Sequence, residues 1–549
     1  MHSDRNGGHL VAEWMSTTGV EHFFHVPGET FLTVLDGLRR FPDIRVVTHR
    51  HESGAAFAAE AVGKLTGRAA VCMATRGPGS SNLAIGLQTA HYDATPVIAL
   101  VTQVPRAKQD SGAFQEYDPR AMFGSTTKQV LRVGAIEALS DTLTQAHAIA
   151  HSGRPGPVVV ALPTDVLTEA HQGPGPARYS VAGPAAGSVN ELAEALSSAA
   201  RPLLLVSTRP VRDPAVADLA DFAEACGLPV VVGWRRFSSY PNDHPSFVGG
   251  MGAAAPTSTL AAVREADLIV SFGFGAESMT TDAAGRPGAS CRLIQIAPEL
   301  DIRALRLSGT ARTIDFVTAD PAGYMRALGE WARDNPAAAG RMRATHAGRT
   351  AQLRADRQRH LSAESAAGPS VRMDALFRAV NAQLPDDAIV SSDAGNFARW
   401  LQRYVEFGGD RVFLGPVNGA MGYGLPGAIG AALACPDRPV WCMAGDGGFM
   451  MTGSEMETAA RFGLSIKALV VNNGAYGSIR RDQERRFPGV DPIGTTLGQV
   501  DFPALARGMG WTGFLVEREQ QMPAALIDLA KADGPALLEV RIDSRQLEV

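Results

Sequence analysis

The 549-residue chain is 45% hydrophobic and 19% charged, the composition of a soluble globular protein with length for about three domains. A net charge of −5 gives no electrostatic reason to expect nucleic acid or an anionic membrane surface as a partner. Five scattered cysteines without a C-x-x-C pair argue against structural zinc, and no apolar signal core or membrane-length run is present, so a cytoplasmic protein is expected.

Residues 1–171 read as one α/β unit. Leu10, Val11, Trp14 and Met15 mark a helix face. Short apolar strands follow at 21–26 and 44–48. The first leads into the turn Pro27-Gly28-Glu29-Thr30 and a helix over 31–40; the second ends at Arg50-His51-Glu52. A helix over 55–65, a strand over 69–74, a loop over 75–81, a helix over 82–89 and a strand over 97–102 continue the pattern. Such alternation implies a parallel sheet covered on both faces. Glu52 and Glu29 each open a helix, where the dipole favours a carboxylate whatever its chemistry. His25, His49, His51 and His91 share this edge, and nothing raises one of them above a structural histidine.

The Gly/Pro/Ala-rich stretch 173–188 reads as a linker. A second α/β unit spans 188–330, with strands at 203–206, 230–232, 268–272 and 293–296. No G-x-G-x-x-G follows any of them, which counts against a nucleotide-binding dehydrogenase. The Arg- and Ala-rich residues 330–370 read as a solvated helix and linker rather than a basic contact surface. A third α/β unit covers 371–549.

The third unit holds the most informative stretch. The apolar run 438–444 reads as a buried strand and stops at Gly445-Asp446-Gly447-Gly448, where glycines allow positive φ and close approach of a ligand. A helix pattern through Met456, Ala459, Ala460 and Phe462 ends at Gly463, and the strand 466–471 then delivers Asn472-Asn473. Both strand ends open on one edge, which sets Asp446 beside Asn473. Their oxygens suit Mg2+, and N–H groups at the helix start suit phosphate. GDG alone is a weak signal. GDG, 24 intervening residues and NN on a strand–helix–strand is a specific one.

With these motifs the chain resembles, over nearly its whole length, the thiamin diphosphate (ThDP) enzymes, specifically the acetolactate synthase-like group of 2-oxo-acid decarboxylases and carboligases. The resemblance implies three doubly wound parallel-sheet α/β domains: pyrimidine-binding (1–171), central (188–330) and diphosphate-binding (371–549). It implies that Asp446, Asn473 and the carbonyl of Ala475 hold Mg2+ against the cofactor diphosphate, with Gly445, Gly447, Gly448, Tyr476 and Gly477 around them. Asn396 and Phe397 would contact the diphosphate. Met421 would wedge the two cofactor rings together, and the Gly419 carbonyl would accept from the aminopyrimidine. Glu52, in RHE followed by A-E and T-G, would protonate the aminopyrimidine ring nitrogen, so that acid–base catalysis runs through the cofactor. Pro27, Gly28 and Gly79 would approach the cofactor of a second subunit, which implies a homodimer or homotetramer with active sites at the interface.

On the substrate side the resemblance places Gln103, Gln115 and Lys128 near a channel for a 2-oxo acid, Gln115 with a catalytic part. Departures are informative. Ser478 and Asp482 stand where acetolactate synthases carry a Met and a Trp, which implies a more polar pocket. Arg480, Arg481, Arg485 and Arg486 are either an anion receptor or a solvated helix face. The loop 206–210 lacks glycines, and Gly273–Ser278 replaces an Arg-Phe-Asp-Asp segment; both count against FAD. Glu29 stands where simple pyruvate decarboxylases carry an acid that manages protonation and acetolactate synthases carry glycine. The resemblance therefore implies ligation to a second carbonyl, with aldehyde release or C–C cleavage as the alternative. A catalytically silent regulatory homologue is a third reading, countered by the presence of Glu52, Asp446, Asn473 and Met421.

Overall fold

The computed structural model describes residues 5–172, 189–209, 211–273, 291–299, 313–362 and 370–546. The proposed linker 173–188, the segment 274–278 and residues 363–369 lie outside the described residues. The remainder forms three six-stranded sheets in which every strand pair with a resolved register is parallel.

The first sheet contains β1 (His22–His25), β2 (Arg45–Thr48), β3 (Ala70–Ala74), β4 (Val97–Gln103), β5 (Gln129–Arg132) and β6 (Pro157–Pro163), in the order β2-β1-β3-β4-β6-β5. The second contains β7 (Pro202–Ser207), β8 (Val230–Val232), β9 (Phe247–Gly250), β10 (Leu268–Gly273), β11 (Arg292–Ala297) and β12 (Thr313–Thr318), ordered β12-β11-β10-β7-β8-β9. The third contains β13 (Ile389–Ser392), β14 (Val412–Leu414), β15 (Val440–Gly445), β16 (Ile466–Asn472), β17 (Thr512–Val516) and β18 (Ala536–Arg541), ordered β14-β13-β15-β16-β18-β17. Counted within its own unit, the third sheet repeats the strand order of the first. The second has the Rossmann order, with its switch point between β7 and β10. Strands β3, β4, β6 and β16 are buried at every position, which is why they read as continuous apolar runs and not as alternation.

The first and third units pack through equivalent helices, Glu52–Thr66 and Gly424–Ala434. Small residues make the approach close: a Cβ on Gly430 would sit 2.4 Å from the Ala58 carbonyl oxygen. The second unit joins them with two adjacent buried arginines. Arg235 donates to the Asp393 carbonyl at 2.9 Å and Arg236 to the Asp93 carbonyl at 3.1 Å.

Several local expectations change. The loop 75–81 is mostly helix, since the helix Gly77–Asp93 begins with Pro78 in its first turn, where proline is tolerated. The helix expected over 31–40 is a 3-10 turn, Glu29–Phe31, followed by Leu32–Leu38. The single helix after Asp446 is two, Asp446–Thr452 and Glu455–Arg461, broken at Gly453-Ser454. Residues 336–362 form the expected helix, with much of its surface exposed, but one face is packed. The helix Pro336–Ser362 buries Met342, His346, Thr350 and Arg357, and Arg349 and Arg354 donate to carbonyls of Pro202 and Asp243 in the second unit at 3.1 Å each. Among the described residues no helix is long and apolar enough to cross a membrane.

Candidate active site

β15 and β16 are hydrogen-bonded neighbours, with Gly445 opposite Val471. Their carboxyl ends therefore deliver Asp446 and Asn473 side by side, as the motif spacing implied. A cavity of about 220 Å³ opens there. Of the predicted set, Asn396, Phe397, Gly419, Met421, residues 445–448, Asn473 and residues 475–478 line it. Met373, Trp400, Ile479, Ile542 and Gln546 line it as well and were not expected. Trp400 had a legible signal, one helical turn beyond Asn396; Ile542 and Gln546 enter from the far end of the chain and had none.

Asp446 is buried, which pushes its carboxyl up to about 6 against the pull of N–H groups from Gly447, Gly474 and Asn473. Asn472 serves the fold: its amide donates to Glu539 at 2.8 Å inside the sheet, which leaves Asn473 to face the cavity. The Asn473 side-chain oxygen accepts from Ala475 N–H at 3.2 Å, and the loop beyond is pinned by Tyr476 N–H to Thr495 and Leu497 N–H to Gly474, both 2.8 Å. Among the described residues no group of three His, Cys, Asp or Glu side chains is placed to hold a metal. The set here is of another kind: one carboxylate, one amide oxygen and one carbonyl, which suits a hard cation completed by phosphate and water.

The glycines act by space and not, as expected, by positive φ. Gly445 has φ −83°. A Cβ on Gly447 would lie 2.6 Å from the Tyr476 ring, and one on Gly448 would lie 2.9 Å from the Asp393 carboxylate. That carboxylate accepts from Gly422 N–H at 2.9 and 3.0 Å, and burial pushes it up to about 7. The turn is thus stacked on the loop that carries Met421. Left-handed backbone occurs in that loop instead, at Gly419 (φ 72°) and Gly422 (φ 85°).

Glu52 opens the helix Glu52–Thr66 and is buried, with Oε2 accepting from Asn82 at 2.8 Å. Its Oε1 would lie 3.0 Å from a Cβ on Gly79, so glycine is needed there for the carboxylate to fit. A Cβ on Gly28 would meet the Thr75 side chain at 2.7 Å. Gln115 has φ 64°, unusual for a residue with a side chain, and its carbonyl accepts from Gly77 N–H at 3.1 Å. Gln103 ends β4 and donates to the Tyr117 carbonyl at 3.0 Å. Pro27 and Glu29 are exposed on this edge, and the cap of the turn Glu29–Phe31 is Gly28, so Glu29 is not itself the cap.

Two expected parts of the site stand apart within one chain. Lys128 leads into β5 at the amino edge, opposite Glu52, and its ammonium donates to the Ser152 carbonyl at 2.5 Å; a residue entering a parallel strand cannot reach the edge where the strand leaves. Glu52, Gly28, Gly79 and Gln115 are absent from the lining of the Asp446 cavity, so one chain does not bring the two groups together. Arg481 reaches the cavity wall, 3.5 Å from the Asn396 amide oxygen, while pairing with Asp482 at 3.0 Å.

Family models match all three units: "Thiamine pyrophosphate enzyme, N-terminal TPP binding domain" over residues 5–122, the central domain over 189–328 and the C-terminal TPP binding domain over 393–540. The chain is 32% identical over 548 residues to the acetolactate synthase isozyme 1 large subunit of Escherichia coli K12, covering 98% of this chain and 94% of that protein. It is 30% identical to the isozyme 2 large subunit of the same organism, covering 98% and 96%, and 29% identical to the catabolic acetolactate synthase of Raoultella terrigena, covering 98% and 95%. The chain belongs to the thiamin diphosphate (thiamine pyrophosphate) enzymes, in their acetolactate synthase-like group.

Proposed function

We propose that this ThDP enzyme uses Mg2+ to decarboxylate a 2-oxo acid and joins the remaining acyl carbon to a second carbonyl, in a homo-oligomer whose active sites form between chains. The observation that carries the reading is the pairing of two complementary half-sites. Asp446, Asn473 and Ala475 offer three oxygens beside an uncapped helix start, in a cavity that also contains Met421 and Gly419. Glu52, cleared by Gly79 and oriented by Asn82, is on the first unit. Bound ThDP supplies the carbon nucleophile and electron sink that decarboxylation needs. In this reading Asp446, Asn473 and the Ala475 carbonyl are the groups that would hold the metal. Met421 and Gly419 would orient the rings, and Glu52 would be the carboxyl group that holds or gives up a proton at the aminopyrimidine. The separation of the halves within one chain supports assembly with a second chain.

A second reading, aldehyde release, is favoured by Glu29 on the exposed carboxyl edge beside Gly28. The test is incubation with ThDP, Mg2+ and pyruvate, with products identified by mass spectrometry. Acetolactate formation, lost in Glu52→Ala, supports ligation. Acetaldehyde alone, with Glu29→Gly shifting product toward acetolactate, selects the second reading. No turnover of pyruvate or of a panel of larger 2-oxo acids refutes both.

A further inference from the structure

We propose that Glu455 is a positioning residue for Glu52, fixing the strand end and helix start from which the acid–base carboxylate projects. Glu455 follows the glycine turn in the third unit, yet its side chain is fully buried against the first. Its Oε1 accepts from the backbone N–H groups of Arg50 and His51, at 3.1 Å each. Its Oε2 meets His49 Nδ1 at 2.9 Å and accepts from Thr458 at 2.6 Å. The two backbone donors are the residues immediately before Glu52, so the carboxylate sets where that side chain begins.

Two further observations make the contact specific. A Cβ on Gly54 would lie 2.4 Å from Glu455 Oε1, so the glycine two residues after Glu52 is required by this carboxylate. His49 Nε2 is buried with no hydrogen-bond partner among the described residues, so the hydrogen bond that orients the ring, beside its packing on Phe24, is the one to Glu455. Against burial, which pushes it up, His49 and the hydrogen bonds hold the Glu455 carboxyl below its ordinary range and keep it ionised. Removing it would take the acceptor from two partly buried N–H groups and from the buried imidazole at the base of Glu52, and misplacement of a catalytic group by about an ångström costs rate more than binding.

The inference rests on the acid–base role of Glu52, which Glu52→Ala tests separately. The experiment measures kcat, the ThDP concentration for half-saturation, and hydrogen exchange of peptides covering 47–54 and 466–473 in Glu455→Ala, Glu455→Asp and Glu455→Gln. Alanine is expected to lower kcat roughly ten- to a hundredfold, with ThDP half-saturation within about twofold and faster exchange confined to 47–54. Aspartate keeps the charge but withdraws the oxygens by one methylene, and is expected to do the same should the alanine variant not fold. Glutamine still presents an oxygen to both N–H groups and is expected to restore kcat to within about threefold of wild type. Wild-type kcat in the alanine or aspartate variant overturns the inference. So does a parallel fall of kcat, ThDP affinity and melting temperature, which marks a structural part only. A glutamine variant that keeps 47–54 protected but is as slow as alanine also overturns it, because charge and not position would then matter. Turnover in Glu52→Ala would instead refute the functional reading beneath it.

Discussion

Tyr423 donates its phenolic hydrogen to the Glu60 carboxylate at 2.7 Å, between two side chains that are wholly buried and 363 positions apart. Glu60 also accepts from Thr95 at 2.9 Å and pairs with Lys64 at 2.9 Å; Lys64 reaches Asp93 at 3.2 Å, and Asp93 accepts from Val417 N–H at 3.1 Å. Burial is the main force raising the Glu60 carboxyl, and Lys64 opposes it. The cluster clamps the segment that presents Gly419 and Met421 to the cavity. Replacing Tyr423 by Phe leaves a buried carboxylate oxygen without its donor, at a cost of about 1–3 kcal/mol. A lowered melting temperature is expected; an unchanged one would mean that water or Lys64 takes the place of the phenol.

Gly448→Ala tests whether space is what the glycine turn supplies. The new Cβ would stand 2.9 Å from an Asp393 oxygen that has nowhere to go, since it accepts from Gly422 N–H. Weaker ThDP binding, by about tenfold or more, is expected from displacement of the Met421 loop. Gly445→Ala should cost much less, because its Cβ would make ordinary contacts, 3.5 Å to the Phe397 ring and 3.9 Å to the Val471 carbonyl oxygen. Equal losses in the two variants would contradict the steric account.

Much of this fold was legible because fully buried parallel strands leave continuous apolar runs, and the turns between them carry glycine. β8, Val230–Val232, falls on its expected residues. Asp446 and Asn473 were legible as a pair because parallel neighbours place equivalent ends together. What sequence could not supply was the partner of each side chain. Glu455 stands in the first turn of its helix, and only the fold shows that it holds Arg50 and His51. For Lys128 motif likeness gives no strand direction, whereas β5 begins at Gln129 and sets the lysine at the amino edge.

That placement is testable. Lys128 donates to Ser152, and its stem packs on Gly156, remote from the edge with Glu52. Lys128→Gln is expected to leave kcat and KM within about twofold of wild type. A large rise in KM for the 2-oxo acid would return Lys128 to the substrate channel.

His25 predicts a pH dependence. Burial, with His49 and Arg461 nearby, pushes its imidazole down to about 4, and its Nε2 lies 3.1 Å from the Thr48 hydroxyl. Unfolding releases it to an ordinary value near 6.5. The unfolded chain therefore binds this proton more readily, so the stability it contributes is present above pH 6.5 and is lost as pH falls through 4, on the order of 3 kcal/mol in all. His25→Gln is expected to melt lower than wild type at pH 7 but to lose less on acidification to pH 4.5. Parallel melting curves across that range would exclude His25 as a source of the acid sensitivity.

The division of the site gives the sharpest test of assembly. Glu52 and the Asp446 cavity are on different units, and within one chain Glu52 does not line that cavity. If each active site takes Glu52 from one chain and Asp446 from another, Glu52→Ala and Asp446→Ala homo-oligomers are both inactive. A mixed dimer, however, has one site with both substitutions and one with neither. Random exchange gives half mixed dimers, so the mixture should recover roughly a quarter of wild-type activity. Chains are exchanged after removing ThDP and Mg2+, then reloaded, and exchange is followed by the mass of differently tagged subunits. Recovery that tracks the mixed species requires a shared site. Complete exchange without recovery would mean that each chain closes its own site, and the separation seen here would then have to be bridged by movement of the first unit toward the third.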